Sequence, residues 1–333
     1  MSYVVVGAGA VGCYLGGRLA AAGHTVTFVG RPKLLATLRQ HGLTLTDLDG
    51  FKAHLPSDRL QLADHLDASL FAQACTVLLC VKGGATRSAA QQLAAVCPAR
   101  TTVISMQNGV ENVDRIRAEA PALSVVAGMV PFNVVMLQDG QVHRGTTGAL
   151  RMARQPATEA LVPIWNAAGL SLELNADMQS VQWGKLLLNL NNPVNALSDL
   201  PLRSQLMDRD YRRVLAALQT EALLALKAAG IRPAKVATAP PSWLPFILRL
   251  PNAIFTRVAA RMLRMDAAAR SSMWEDFQQG RVTEIDDLCG AVVRLAQAYG
   301  LEAPANTAMC RLTASHQAGH RLSGSELRAA LGT

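Results

Sequence analysis

The sequence of 333 residues contains no Cys-x-x-Cys pair. Of its six cysteines (Cys13, Cys75, Cys80, Cys97, Cys289 and Cys310), all but Cys310 lie in apolar runs, where cysteine behaves as a small hydrophobe. Disulfides are not indicated, and a reducing cytoplasm is the expected setting. There is also no run of about 18 uncharged apolar residues, so no bilayer span is expected. Val4–Val6 passes straight into glycines, which is not how a cleaved leader ends. Histidines are few and scattered. His316 and His320 stand four apart with no third ligand nearby, so no metal site is expected. No Ser–His–Asp constellation stands out. Charged residues make up only 17% of a chain that is half apolar, the balance of a globular protein. The net charge of +8 comes from dispersed basic residues with few aromatics among them, which argues against a nucleic-acid face. It suits a solvated surface, or one that attracts an anionic cofactor and substrate.

The first half alternates short β-branched runs with helical periods, as a parallel sheet with crossover helices does. Strands are expected at Ser2–Val6, Thr25–Val29, Ala74–Val81, Thr102–Ser105 and Ser124–Val130, with a hairpin over Val134–His143 centred on Gln138-Asp139-Gly140. The helix after the first strand is expected over Val11–Ala22. From about Ala176 the character becomes helical: Val181–Leu190 around Lys185, then Arg209–Ala229, closed by Gly230. Pro240–Pro251 interrupts the helices, a basic apolar segment Ala253–Met265 precedes Ala267–Gln279, and Thr283-Glu284-Ile285-Asp286 opens a last major helix with Thr283 as its cap. Pro245 and Pro251 break Leu244–Arg264 as a membrane-surface helix, leaving it as domain core or a dimer contact. The fold class expected is α/β, with a doubly wound Rossmann-type sheet over 1–176 and an all-α region over 177–333.

Gly7-Ala8-Gly9-Ala10-Val11-Gly12 follows an apolar strand and opens a helix, the context that gives such a spacing meaning. Gly7 permits the tight turn, Gly9 lets a pyrophosphate approach the backbone, and Gly12 brings the helix close to the strand. The second strand ends in Thr27-Phe28-Val29-Gly30-Arg31-Pro32-Lys33. An NAD site usually carries Asp or Glu there for the ribose hydroxyl. Here Arg31 offers a planar fork suited to a 2′-phosphate, with Lys33 nearby, so NADPH is the expected cofactor.

Four further motifs follow in order: Val81-Lys82; Gln107-Asn108-Gly109-Val110; Trp183-Gly184-Lys185 running to Asn189; and Ser271-Ser272-Met273 with Thr283-Glu284-Ile285-Asp286 behind it. Together with the glycine turn and Arg31, over nearly the whole chain, they resemble the ketopantoate reductase (2-dehydropantoate 2-reductase) family. The resemblance implies a Rossmann domain and a helical domain with the active site in the cleft between them. It also implies reduction of the 2-keto group of ketopantoate to D-pantoate by NADPH, in pantothenate synthesis.

On that resemblance Lys185 is the general acid, and Glu284 positions substrate and cofactor and pairs with Lys185. Lys82, Asn108 and the backbone of Val134 contact the cofactor. Asn108, Asn189, Asn192 and Ser272 contact the substrate. Taken alone, Lys185 is as readily a helix lysine reaching for water, Asn108-Gly109 a turn, and Glu284 a first-turn acid favoured by the helix dipole. The chain also departs from the family pattern. Position 193, eight after Lys185, is Pro193 where the family commonly has asparagine, so either Asn192 takes that role or the pocket is remodelled. A further family asparagine falls near Leu202 and is absent, and Pro240–Met265 is longer and more apolar than in compact members. Reduction of another small 2-keto acid and a non-catalytic NADPH sensor are the alternatives. A homodimer is one option that the sequence leaves open.

Overall fold

The computed structural model describes residues 1–235, 239–260, 263, 269–316 and 319–332. Two compact units divide it, Met1–Met178 and Gln179–Thr333. The strands are β1 (Ser2–Val6), β2 (Thr25–Val29), β3 (Leu43–Asp47), β4 (Lys52–Leu55), β5 (Gln61–Ala63), β6 (Cys75–Leu79), β7 (Thr102–Ser105), β8 (Ser124–Met129), β9 (Val134–Met136), β10 (Gln141–Arg144), β11 (Leu150–Ala153) and β12 (Leu172–Asn175), all in the first unit. An eight-stranded sheet takes the order β12-β11-β8-β7-β6-β1-β2-β5, and a second sheet the order β4-β3-β10-β9. In the large sheet only the β8–β11 pair is antiparallel. The crossover helices are α1 (Ala10–Ala21), α2 (Pro32–His41), α3 (Thr86–Val96), α4 (Asn112–Glu119), α5 (Pro156–Glu159) and α6 (Leu161–Ala167). This is the doubly wound arrangement that the alternation of elements calls for.

The unbroken apolar run of β1 follows from burial on both faces. Tyr3 and Val5 pack into one core with Tyr14, Leu15 and Trp165, while Val4 and Val6 pack into another with Val77, Leu93 and Ile116. Each such fully buried side chain contributes about 1.5–3 kcal/mol. The expected hairpin is present as β9–β10, where Asp139 (φ 54°) and Gly140 (φ 69°) are both left-handed, the geometry of a tight two-residue turn. The strands over 74–81 and 124–130 are shorter than expected. The β1–β6 register closes at Leu79, although Cys80 still donates to Val6 O, and β8 stops at Met129.

Strands β3, β4, β5, β11 and β12 go beyond the sequence reading. The second sheet is tied to α1 by Asp47. Its carboxylate accepts from Arg18 Nη1 (3.1 Å), Arg144 Nη2 (3.2 Å), Tyr14 Oη (3.3 Å) and the N–H groups of Asp49 and Phe51. Burial alone would raise this carboxyl. The bond from the Phe51 N–H, the Arg144 charge and the other donors outweigh it and hold the group below the ordinary value.

Among the described residues the second unit holds helices and no strand: α7 (Met178–Asn189, opening at the division), α8 (Asn191–Ser198), α9 (Leu202–Met207), α10 (Arg209–Ala228), α11 (Leu244–Arg249), α12 (Asn252–Val258), α13 (Ser272–Gln278), α14 (Ala291–Ala298), α15 (Pro304–Ser315) and α16 (Gly324–Leu331). None of them is long and apolar enough to cross a membrane. α10 ends as expected, with Gly230 at φ 69°.

Two readings need correction, and another falls partly outside the described residues. The Pro240–Pro251 stretch is partly helical, because Pro245 falls in the first turn of α11, where no donor is missed. Fully buried Arg212 fastens this region, donating to the carbonyls of Leu248 and Leu250 and to Asn252 Oδ1 while lying over the Phe255 ring. Leu244, Leu248 and Phe255 are core, whereas Trp243, Phe246, Ile254 and Val258 are exposed. Of the segments expected over 253–265 and 267–279, residues 261, 262 and 264–268 lie outside the described residues, and α13 covers the later part. Finally, Thr283 does not cap the helix. The first helical bonds run from Asp287 and Leu288 N–H to the carbonyl of Glu284, and a π turn over Asp286–Gly290 follows. Asp286 does not reach back to Thr283, because Arg294 holds it at 2.8 Å. Two further helices follow, so this one is not the last.

Candidate active site

In the first unit the glycine turn leaves β1 at its carboxyl end. Gly7 has φ +96°, and the N–H groups of Gly7 and Ala8 both donate to Val29 O at 3.0 Å, fixing the turn to the end of β2. A Cβ at Gly7 would lie 2.6 Å from Val81 N, and one at Gly12 would strike Gly7 O and come within 2.9 Å of Val5 Cγ1. Both positions therefore require glycine. Gly9 differs, since a Cβ there would meet nothing within 4 Å. That open space faces the start of α1, where Gly9 offers no side-chain cap and Ala10, Val11 and Gly12 form the first turn. Uncapped N–H groups and the positive end of the helix are what an anionic diphosphate needs. The residues present fit a dinucleotide.

The strand registers bring four of the named positions to one edge. Val6 stands opposite Val29 and Leu79, and Leu79 opposite Ser105. Gly7–Gly12, Arg31, Lys82 and Asn108 thus all follow the carboxyl ends of neighbouring parallel strands, where ligands of open sheets gather. Arg31 is exposed and extended (φ −69°, ψ 144°), with Lys33 exposed beside it. Val134 opens β9 of the smaller sheet, half-buried against the core that contains Tyr14 and Leu15 of α1.

A buried polar network sets the Lys82 and Asn108 loops, and the sequence reading missed it. Gln107 Nε2 donates to Val81 O (2.9 Å) and Thr86 Oγ1 (2.7 Å), and its Oε1 accepts from Ser105 Oγ. Thr86 Oγ1 donates to Asn112 Oδ1, and Asn112 Nδ2 donates to the Asn108 carbonyl at 2.5 Å. A glutamine next to Asn108 was the available signal. Its partners, 21 and 26 positions earlier, come near only through the fold.

In the second unit α7 buries Trp183, Leu186 and Leu187 and leaves Lys185 and Asn189 half-buried, four apart and so on one face. Gly184 makes room for the chain that returns past this helix. A Cβ there would collide with Ala234 O, while Ala234 N–H bonds to Ser180 O. Burial lowers the Lys185 ammonium to about 8, against the opposing pull of the Glu284 carboxylate, which raises it. Desolvation wins over the counter-charge, so Lys185 changes its proton near neutrality.

The asparagines divide cleanly. Asn191 exchanges two hydrogen bonds with Gln205, both at 3.1 Å, and is thereby spent on packing. Fully buried Asn195, another residue the sequence reading missed, donates to Leu200 O and accepts from Ser271 N–H. Ser271 in turn donates to Asn192 O and caps α13 by accepting from Trp274 N–H, which leaves Ser272 exposed at the first helical position. The carboxamides of Asn189 and Asn192 make no hydrogen bond among the described residues. Lys185, Asn189, Asn192, Ser272 and Glu284 thus all belong to this unit, and three of them present polar groups not used by the fold.

Residues 3–156 match the family model described as ketopantoate reductase PanE/ApbA, and residues 177–317 its C-terminal counterpart. A 2-dehydropantoate 2-reductase of Halobacterium salinarum is 28% identical over 91% of this chain and 95% of its own. The crystal structure of a PanE/ApbA family ketopantoate reductase from Ralstonia eutropha JMP134 superposes with a TM-score of 0.79 at 29% identity, covering 94% of this chain and 97% of that one. A D-mandelate dehydrogenase solved with NADH and anilino(oxo)acetate shares the fold, with a TM-score of 0.75 at 18% identity over the whole of both chains.

Proposed function

Because the chain belongs to the ketopantoate reductase family, we propose that it is an NADPH-dependent reductase of a small 2-oxo acid in the cytoplasm, with ketopantoate, reduced to D-pantoate, as its substrate. The observation that carries this reading is Lys185, a lysine brought to about 8 beside the Glu284 charge, with the uncommitted carboxamide of Asn189 on the same helix face.

When bound, the cofactor supplies a hydride to the keto carbon. The carbon–oxygen double bond opens, its electron pair goes to oxygen, and that oxygen must be given a proton. Lys185 Nζ donates it, and the neutral amine is recharged from solvent. Glu284 holds the ammonium in place and keeps its value from falling further. Asn189, Asn192 and Ser272 bind the carboxylate and hydroxyl groups of the substrate, and Asn108 orients the nicotinamide edge. Gly9 and the first turn of α1 hold the diphosphate, and Arg31 with Lys33 holds the 2′-phosphate.

A second reading, reduction of another small branched 2-oxo acid, is favoured by one observation. Asn191 is locked to Gln205 and Pro193 stands eight after Lys185, so the pocket is built on a shifted asparagine set. A panel of 2-oxo acids assayed by NADPH consumption separates the two. The first reading predicts the highest kcat/KM for ketopantoate. A higher value for a different acid selects the second, and cofactor binding without turnover of any acid leaves the sensor.

A further inference from the structure

Four arginines of the second unit converge on one open cavity of about 490 Å³, lined by Arg209, Arg213, Ala217, Arg249 and Arg328. They come from three places in the chain. Arg209, Arg213 and Ala217 recur every fourth residue along α10 and share a face. Arg249 ends α11, and Arg328 lies on α16. Ala217 has a side chain too short to fill the space between the cations.

The charge at this cavity is poorly compensated. Arg328 pairs with Asp210 at 2.9 Å. Arg209 spends its donors on the neutral carbonyl of Arg249, at 3.2 and 3.1 Å. Arg249 donates to Pro245 O, Ala216 O and Thr220 Oγ1. Those bonds fix the two guanidiniums in place without neutralising them. Arg213, half-buried, makes no hydrogen bond or ion pair among the described residues. Arg209 also opens the first turn of α10, where the helix dipole disfavours a cation. Like charges gathered in a concavity, two of them rigidly held, form a site that an anion stabilises.

We propose that this cavity binds a small polyanion carrying two or more phosphoryl groups. Several guanidinium forks match phosphate oxygens in pairs, and fixed forks lose little freedom on binding. The site uses none of the residues assigned to cofactor or substrate, so it stands or falls apart from the reductase reading.

The test is calorimetric titration of sodium tripolyphosphate into the whole protein at fixed ionic strength, with NADPH present to fill the dinucleotide site. One molecule is expected to bind per chain. Arg213→Ala is expected to weaken it by about tenfold or more, the loss of a charge-assisted contact. Arg213→Lys is expected to retain part of the affinity, and Arg31→Ala all of it. Arg213 holds no structural bond, so its variants are expected to melt like the parent and to reduce 2-oxo acids at the parent rate. No saturable heat, an affinity unchanged in Arg213→Ala, or binding abolished by Arg31→Ala would overturn the proposal.

Discussion

A carboxamide that holds the fold together and one that waits for a ligand predict opposite phenotypes, and the second unit contains both. Asn195 is fully buried with two bonds, so Asn195→Ala leaves Ser271 N–H and Leu200 O without a partner. We predict a loss of about 1–3 kcal/mol for each orphaned group, read from a denaturant midpoint. Asn189 holds nothing in the fold, so Asn189→Ala is expected to change stability by no more than about 0.5 kcal/mol while raising KM for the 2-oxo acid. A denaturation midpoint that fell as far as that of Asn195→Ala would show Asn189 to be structural. At this scale Lys185 and Asn189 were picked out by the family resemblance, and their spacing of four adds only that they share a helix face. Asn195 and Gln107 were not, since a buried amide acquires its meaning from partners distant in sequence.

Among the elements, the proposed preference for NADPH rests on Arg31, just past the end of β2. Arg31→Ala is expected to weaken NADPH far more than NADH, and equal weakening would remove the 2′-phosphate argument. The Gln107 network predicts a different effect. Gln107→Leu leaves Val81 O without this donor and the Ser105 hydroxyl without its acceptor, costs about 1–3 kcal/mol, and loosens the loops bearing Lys82 and Asn108. It should raise KM for the cofactor, and an unchanged cofactor KM would make the network purely structural.

Strands covered on both faces, such as β1 and β6, announce themselves by unbroken apolar runs. β5 has three residues at a sheet edge and gives almost no pattern. β3 does alternate, Leu43-Thr44-Leu45-Thr46-Asp47 reading buried, half-buried and buried in turn, and that period was there to be read. The Thr283 cap failed for another reason. A capping box needs its acid to turn back, and Arg294, eight residues on, holds Asp286 instead.

Across the whole molecule, the first unit depends on one buried carboxylate. Asp47 bridges Arg18 and Arg144 and ties α1 to the smaller sheet. Removing it leaves the buried Arg18 guanidinium without its carboxylate, while Arg144 keeps only the exposed Asp49, so Asp47→Ala is expected to cost about 3–5 kcal/mol. Its folded value lies below that of the unfolded chain. The contribution is therefore complete above about pH 4 and is lost as the pH falls through the folded value. Acid unfolding followed by circular dichroism should show a steeper low-pH loss for the parent than for Asp47→Ala; parallel curves would mean that Asp47 carries no such linkage.

The central claim concerns a proton, and the pH dependence of kcat/KM for NADPH-driven ketopantoate reduction, from about pH 6 to about pH 10, tests it most directly. Only the protonated form of Lys185 can donate, so the rate should be level below about 8 and fall about tenfold per pH unit above it. Lys185→Ala should lose about a hundredfold or more in rate, lack that limb, and still bind NADPH. An unchanged rate in Lys185→Ala, or the same limb near 8 without the lysine, would contradict the account.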